Sequence, residues 1–263
     1  MNSIGDSDRL ASRMIALRQF TTQLYRKPTS RELKAVEPNS KWKKIYSFVS
    51  ERNGGIIRLL PDLGCARNLR VVQASEECIK LTMPGAANSY SFRTRSYRIK
   101  RLADIALDGE YISLPGSFMN AAIAELPDTE IQDVDLQSMA ISKLAAIPLA
   151  SNYEQIAVIQ ARIEGGNEYD GLRVSTRAAV RVGATYAYRG IAYRGQIARS
   201  AAGIVYNELD FDKRRDVIAV FKIVEVADDR SVTIVYRILT ETAAPKIKTR
   251  KASQGSELED RIK

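Results

Sequence analysis

The chain has 263 residues, of which 45% are apolar and 27% charged, so it is long and apolar enough to bury a core and is not expected to be disordered. Its net charge of +9 indicates an acidic partner. It contains no histidine, the commonest general base and transition-metal ligand, which excludes Ser-His-Asp and Cys-His catalysis and most zinc sites.

The two cysteines, Cys65 and Cys78, are too few for a disulfide framework in a chain of this length. We expect them to be reduced thiols, which places the protein in the cytosol or nucleus. No run approaches 18 apolar residues, and residues 1–10 lack the basic and then apolar stretch of a secretory signal. Neither a spanning helix nor a signal peptide is predicted.

Charge is divided unevenly along the chain. Residues 1–101 carry 20 Lys and Arg against 8 Asp and Glu, whereas residues 102–170 carry 2 against 12. This division indicates a basic face for phosphate and an acidic segment that neutralises it or docks on a second copy.

Helices are predicted in the first quarter, where apolar residues recur at helical spacing in residues 10–24 and again in residues 42–49. Pro28 ends the first helix, and the glycine pair at 54–55 ends the second. Residues 1–60 are therefore predicted to form an N-terminal helical region.

From Leu69 the apolar period changes towards two, which predicts strands at 69–73, 78–83 and 90–102. The alternation in the last of these slips near Ser96, as it would at a β-bulge. The acidic middle is predicted to be helical over 118–126 and 130–146.

The second half reads mainly as antiparallel sheet. Residues 155–164 are predicted as a central strand and 172–182 as the most regular strand, followed by a strand over 186–199. Residues 217–226 and 231–239 flank an aspartate turn and predict a hairpin. The fold class is thus α+β, with N-terminal and central helices, a core domain over 61–242 and a disordered basic tail over 243–263.

A first candidate binding surface lies on the strand predicted at 90–102, where basic residues alternate with Tyr90, Phe92 and Tyr97. Guanidinium groups bind phosphate oxygens in pairs, and neighbouring aromatic rings stack on bases or enter a lipid headgroup layer. The alternative is a solvated face paired to the acidic middle. The basic residues are Arg93, Arg95, Arg98, Lys100 and Arg101.

A second candidate is the row Arg173, Arg177 and Arg181, with about 13 Å between successive members if all lie on one strand face. The row would bind anions. The alternative is a set of outward arginines on a half-exposed sheet.

A third candidate combines aromatic and basic residues beside two glycines that allow close approach of a ligand. The alternative is a twisted edge strand whose aromatic rings pack on neighbours. The residues are Tyr188, Arg189, Tyr193 and Arg194.

A fourth candidate is the basic cluster of the tail, which is typical of nuclear import signals and of contacts with nucleic acid or anionic membrane. The alternative is a tail that only adds solubility. The residues are Lys246, Lys248, Arg250 and Lys251.

No phosphate-binding glycine loop, dinucleotide fingerprint, zinc-protease or serine-hydrolase motif is present, so no enzyme activity and no cofactor is predicted. The acids between Glu125 and Asp135 lack the central glycine of a calcium loop and are interpreted as exposed helix charge.

The segment 213–225, charged at its start and apolar thereafter, continues to Tyr236 and resembles the closing segment of rhabdovirus matrix proteins, the plant-infecting type above all. The resemblance covers about 50 residues. It implies a structural protein that binds RNA or condenses ribonucleoprotein, links it to an anionic membrane and self-associates through the acidic middle. Its location would be the host nucleus or cytoplasm and the virion.

Two other classes stay open. The β-rich half also looks like the core of plant-virus movement proteins, which bind single-stranded nucleic acid without sequence preference. A nucleocapsid or coat protein is the third possibility.

Overall fold

A computed structural model describes residues 3–62, 82–166, 168–169 and 171–247. The described residues form five α-helices: α1 (Ser3–Tyr25), α2 (Ser30–Ala35), α3 (Lys41–Ile45), α4 (Met139–Ala145) and α5 (Tyr153–Glu164). The strands up to the central helices are β1 (Gly54–Leu59), β2 (Ser89–Ser91), β3 (Ser96–Tyr97), β4 (Ile105–Asp108), β5 (Tyr111–Ser113) and β6 (Met119–Leu126). The later strands are β7 (Glu168–Tyr169), β8 (Leu172–Arg173), β9 (Arg177–Ala179), β10 (Thr185–Ala192), β11 (Ala198–Ala201), β12 (Ile204–Asn207), β13 (Arg215–Val226) and β14 (Val232–Ala243).

Two antiparallel sheets form the body of the protein. The main sheet has the strand order β1-β14-β13-β10-β6, and the second sheet has the order β3-β2-β4-β5-β9. The pairs β7-β8 and β11-β12 form separate two-stranded ribbons.

The main sheet is buried on both faces because alternate side chains of its central strands enter two different cores. Tyr188 and Phe221 point towards the second sheet, where they join Phe92 of the β2–β3 connection. Their strand neighbours Ala187 and Val220 point the other way and pack against helices α4 and α5. The architecture is therefore three layers, with helices, the main sheet and the second sheet in that order.

The α+β class is confirmed, with helices at the N-terminus and centre and antiparallel sheet in the second half. The first helix is present over Ser3–Tyr25. The C-terminal hairpin is present as β13 and β14, which pair over their full length with two irregularities in register.

Two predicted elements have the opposite structure. Residues 119–126 form strand β6 rather than a helix, because small alanines there are sandwiched between β10 and α5, and burial overrides their helix propensity. Residues 153–164 form helix α5 rather than a strand. Asn152 caps it by accepting a hydrogen bond from the Gln155 amide at 2.8 Å, and its buried residues Ile156 and Ile163 lie on one face.

Other predicted elements are shorter than expected. The strand at 90–102 is the hairpin β2–β3, in which a four-residue turn replaces the expected bulge. The strand at 172–182 is divided because the chain crosses between layers: Val174 packs in the helix-side core and Ala178 in the core between the sheets. The strand at 186–199 ends at Ala192, and the helix at 130–146 is reduced to α4 after a single 3-10 turn.

Contacts cross the predicted domain limits. Strand β1 lies within the predicted helical region but pairs with β14 in the main sheet. Within the tail predicted from residue 243, Ile247 is buried and its amide donates to the Arg194 carbonyl at 2.8 Å. The strands predicted at 69–73 and 78–83, apart from residues 82 and 83, lie outside the described residues, as do both cysteines.

Candidate polyanion-binding surface

Arg93 lies inside the protein rather than on an exposed strand face. Its guanidinium donates to Asp104 Oδ1 at 2.5 Å, to the Leu102 carbonyl at 3.1 Å and to Asp212 Oδ2 at 3.1 Å. The side chains of all three charged residues are 0% exposed. Arg93 is thus excluded from contact with an external phosphate, and the expectation of an outward row is wrong for this residue.

The same buried network includes Arg214 and Tyr188. Arg214 donates to Asp212 Oδ2 at 2.7 Å, and the Tyr188 hydroxyl donates to Asp104 Oδ1 at 2.7 Å. Burial alone would raise the pKa of Asp212, but Arg93 and Arg214 outweigh it and hold that pKa below its usual value. Buried charges need such partners because unpaired ones lose their hydration without compensation.

Arg98 and Arg101 attach the end of α1 to the body. Arg98 is buried and donates to the carbonyl of Tyr25, the last residue of α1, at 2.7 Å and to that of Phe211 at 2.5 Å. Arg101 donates to the buried carboxylate of Glu208, which also accepts from the Tyr25 hydroxyl at 2.7 Å. Both arginines therefore act in the fold, and burial contradicts the outward placement expected for Arg98.

The third predicted group is also mostly internal. Tyr188 and Tyr193 are 0% exposed, and the Tyr193 hydroxyl donates to Asn120 at 2.8 Å. Arg189 is 6% exposed and forms an ion pair with Asp216. These three side chains are not available to an external ligand, because the strand expected at an edge is central to the main sheet. Arg194 alone is exposed, with its Nε donating to the Ala244 carbonyl at 2.7 Å.

Arg173, Arg177 and Arg181 are all exposed, as expected, but they do not form one row. Arg173 lies on the β7–β8 ribbon opposite Glu168, Arg177 lies on β9, and Arg181 follows β9. Arg177 approaches Asp108 at 3.9 Å with its side chain 63% exposed, and Arg181 pairs with Glu125 on the neighbouring β6. Exposed pairs of this kind are weak and do not prevent an external phosphate from binding.

The remaining predicted residues are distributed singly. Lys100 pairs with Asp62 at 2.5 Å, and Arg95 makes one long contact with Glu241 at 3.4 Å. Lys246 is exposed next to the buried Ile247. Lys248, Arg250 and Lys251 lie outside the described residues.

Among the residues that the structure describes, the largest set of unpaired cations lies in residues 1–60 and contains none of the predicted site residues. Eight exposed basic side chains there form no ion pair with any side chain that the structure describes. We call them the N-terminal cation set: Arg9, Arg13, Arg18, Lys27, Arg31, Lys34, Lys44 and Arg52.

A signal for this set was present in the sequence. Residues 1–60 contain 12 Lys and Arg against 5 Asp and Glu, and Arg13 and Arg18 have no acid three or four residues away to pair with them. Arg93, Arg98 and Arg101 stand close together in the sequence, but each has a different partner within the fold.

No family model, curated protein or solved structure matches this chain. None of the helices in the described ranges combines the length and apolar character needed to cross a bilayer.

Proposed function

We propose that this chain is a non-enzymatic structural protein of the viral matrix type, which binds ribonucleoprotein and an anionic membrane and associates with copies of itself. The observation that carries the proposal is the N-terminal cation set, whose members are exposed and lack ion-pair partners among the described residues. The resemblance of residues 213–225 to the closing segment of rhabdovirus matrix proteins supports the same class, with the host nucleus or cytoplasm and the virion as its locations.

The membrane arm of the proposal rests on the first half of α1. Leu10, Met14 and Ile15 are 57%, 52% and 60% exposed, although each is apolar. The stripe that contains Leu10 and Met14 continues along the helix to Leu24, which is buried against the body. The helix thus uses one end of its apolar stripe to attach to the protein and leaves the other end uncovered.

Arginines stand on both sides of that uncovered stripe. At 100° per residue, Arg9 and Arg13 fall on one side of Leu10 and Met14, and Arg18 falls on the other. Apolar residues flanked by cations are the pattern of helices that lie in the interface of an anionic bilayer, with hydrocarbon stems below and charges at headgroup level.

The ribonucleoprotein arm rests on charge alone. Exposed Lys and Arg side chains neutralise phosphates and release bound counterions, and this term does not depend on nucleotide sequence. A condensing protein needs this sequence-independent binding, because it must coat the whole length of a nucleic acid.

Self-association is assigned to the acidic middle. Asp133 and Asp135 are exposed and precede Leu136 and Met139, which are 46% and 72% exposed. This acidic and apolar surface is opposite in charge to the N-terminal cation set and could face it on a second copy.

The test is cosedimentation of the purified protein with vesicles of anionic or neutral lipid, compared with binding to single-stranded RNA. We expect retention by anionic vesicles and by RNA, and release from both at high salt. Arg9→Gln, Arg13→Gln and Arg18→Gln together should weaken both, whereas Lys100→Gln, Arg177→Gln and Arg181→Gln remove the same charge elsewhere and should weaken neither strongly. Binding to RNA without any binding to anionic vesicles would instead favour a movement or coat protein.

A further inference from the structure

A cleft of about 600 Å³ separates the N-terminal region from the two sheets. One wall is the chain between residues 27 and 38, which includes α2, and the other comprises β1 and the β2–β3 hairpin. Its lining includes both cations and aliphatic side chains. The cleft thus offers two chemically different surfaces to one ligand.

Positive charge predominates at the cleft. Lys27, Lys34 and Arg95 line it against one acid, Glu37, whose carboxylate is bound by Lys43 at 3.1 Å. Arg95 is not neutralised by its own partner either. Its partner Glu241 is shared with two further cations, Lys213 and Arg215, so one carboxylate serves three positive groups.

Two polar groups at this place lack hydrogen-bond partners among the described residues. The Nε of Arg95 and the hydroxyl of Thr94 are buried, and neither is bonded. Arg95 also has a left-handed backbone, with φ of +50°, which is unfavourable for a residue other than glycine. Backbone strain of this kind is concentrated at ligand-binding positions.

The cleft is also lined by aliphatic and aromatic side chains. Val36 and Ile57 are buried beside the partly exposed Leu33. Tyr90 and Tyr97 also line the cleft but are 5% and 4% exposed, and their rings pack against each other at 5.4 Å. They offer no open ring face on which a nucleobase could stack, whereas Leu33, 46% exposed, offers an open aliphatic surface, so hydrocarbon fits the cleft better than a base.

We propose that the cleft binds the headgroup end of an anionic phospholipid, with the phosphate at Arg95, Lys27 and Lys34 and the start of an acyl chain against the exposed side chain of Leu33. The inference deepens the membrane arm of the proposed function and rests on it. Charged hydrogen bonds to phosphate supply orientation, and the aliphatic lining supplies apolar contact.

The experiment is calorimetric titration of the full chain with dihexanoyl phosphatidic acid below its micelle concentration. We expect saturable binding at one site. Inorganic phosphate, adenosine monophosphate and dihexanoyl phosphatidylcholine serve as parallel ligands, and each should bind at least roughly tenfold more weakly. Inorganic phosphate lacks the acyl chain, adenosine monophosphate lacks the aliphatic body, and phosphatidylcholine lacks the net negative charge.

Arg95→Asn removes the cation while keeping a residue that tolerates positive φ, and it should weaken binding roughly tenfold. Leu33→Asp, at a half-exposed position, should do the same by placing a carboxylate in the cleft. The matched controls Lys143→Gln and Leu149→Asp make comparable changes outside it and should leave binding unchanged. Circular dichroism checks each fold, and Lys34→Gln replaces Arg95→Asn if that variant is unfolded.

Absence of saturable binding, equal or tighter binding of adenosine monophosphate, or wild-type binding by the cleft variants would each overturn the inference. The proposed function is tested separately by vesicle binding through α1. A protein that binds anionic vesicles but not the soluble lipid contradicts the cleft alone, whereas one that binds neither vesicles nor RNA contradicts the function itself.

Discussion

Arg189 on β10 and Asp216 on the adjacent β13 form a two-point ion pair, with Nε and Nη2 of the arginine 3.1 and 2.8 Å from the two carboxylate oxygens. The third nitrogen donates to the carbonyls of Leu144, Ala145 and Ile147 at the end of α4. A helix leaves its last carbonyls unbonded, and a cation there satisfies them. One side chain therefore joins two strands to the helical layer.

Replacement of Arg189 should remove a large part of the free energy of unfolding. Arg189→Ala leaves a nearly buried carboxylate unpaired and removes the side-chain donor of the Ala145 and Ile147 carbonyls, so we expect a loss of about 3–5 kcal/mol in the free energy of unfolding. Urea denaturation measures it, with Arg173→Ala as the exposed control. A loss for Arg189→Ala no larger than that of the control would contradict the structural role.

The exposed arginines should behave differently. Arg173→Ala, Arg177→Ala and Arg181→Ala together remove two surface ion pairs, each worth about 0–1 kcal/mol, so the triple variant should remain folded with a small loss of stability. Urea denaturation and circular dichroism provide the measurement. Collapse of the fold would show that these residues have internal partners.

Stability should fall steeply in acid. Hydrogen bonds from Tyr25, Arg101 and Arg199 hold the pKa of Glu208 below its usual value, although burial alone would raise it. The folded state therefore binds this proton less tightly than the unfolded state, and its stabilising contribution, present above the ordinary glutamate pKa of about 4.3, is lost as pH falls through the lower folded value.

Because the chain has no histidine, we expect the free energy of unfolding to be nearly level from about pH 5.5 to 8 and to decline below about pH 4.5. Urea denaturation over a pH series measures this. Glu208→Gln should give a less stable protein whose free energy of unfolding decreases less between pH 4.5 and lower pH. A decline between pH 8 and 6 would contradict the assignment of the titrating groups.

Local patterns predicted those elements whose burial follows a single period. The apolar stripe of α1 and the two apolar runs of β13 and β14 are recognisable in the sequence because Pro28 follows the first and an aspartate turn separates the other two. Strand β6 was not, because its alanines favour a helix in isolation and become a strand only between β10 and α5. Helix α5 was missed because a mostly apolar segment of twelve residues suits either structure until its cap is recognised.

The sequence identifies the cationic side chains but not which of them are exposed. Sequence shows that Arg93 and Arg98 are cationic, but their partners Asp212 and Phe211 lie more than 110 residues away, and only the folded chain brings them together. Arg9 and Arg13 are spaced along a helix and form no dense cluster in the sequence. Exposure, rather than the local density of Lys and Arg, decides which cations can reach a ligand.

The most direct test is the salt dependence of binding to a single-stranded RNA oligonucleotide, measured by fluorescence anisotropy. Plots of log K against log salt are compared for the wild type, for Arg9→Gln with Arg13→Gln and Arg18→Gln, and for Lys100→Gln with Arg177→Gln and Arg181→Gln. At about 0.7 per neutralised phosphate, the α1 variant should reduce the slope by roughly 2, and the second variant should reduce it much less. Equal slopes for the wild type and the α1 variant, or a larger reduction in the second variant, would contradict the placement of the binding surface in the N-terminal region.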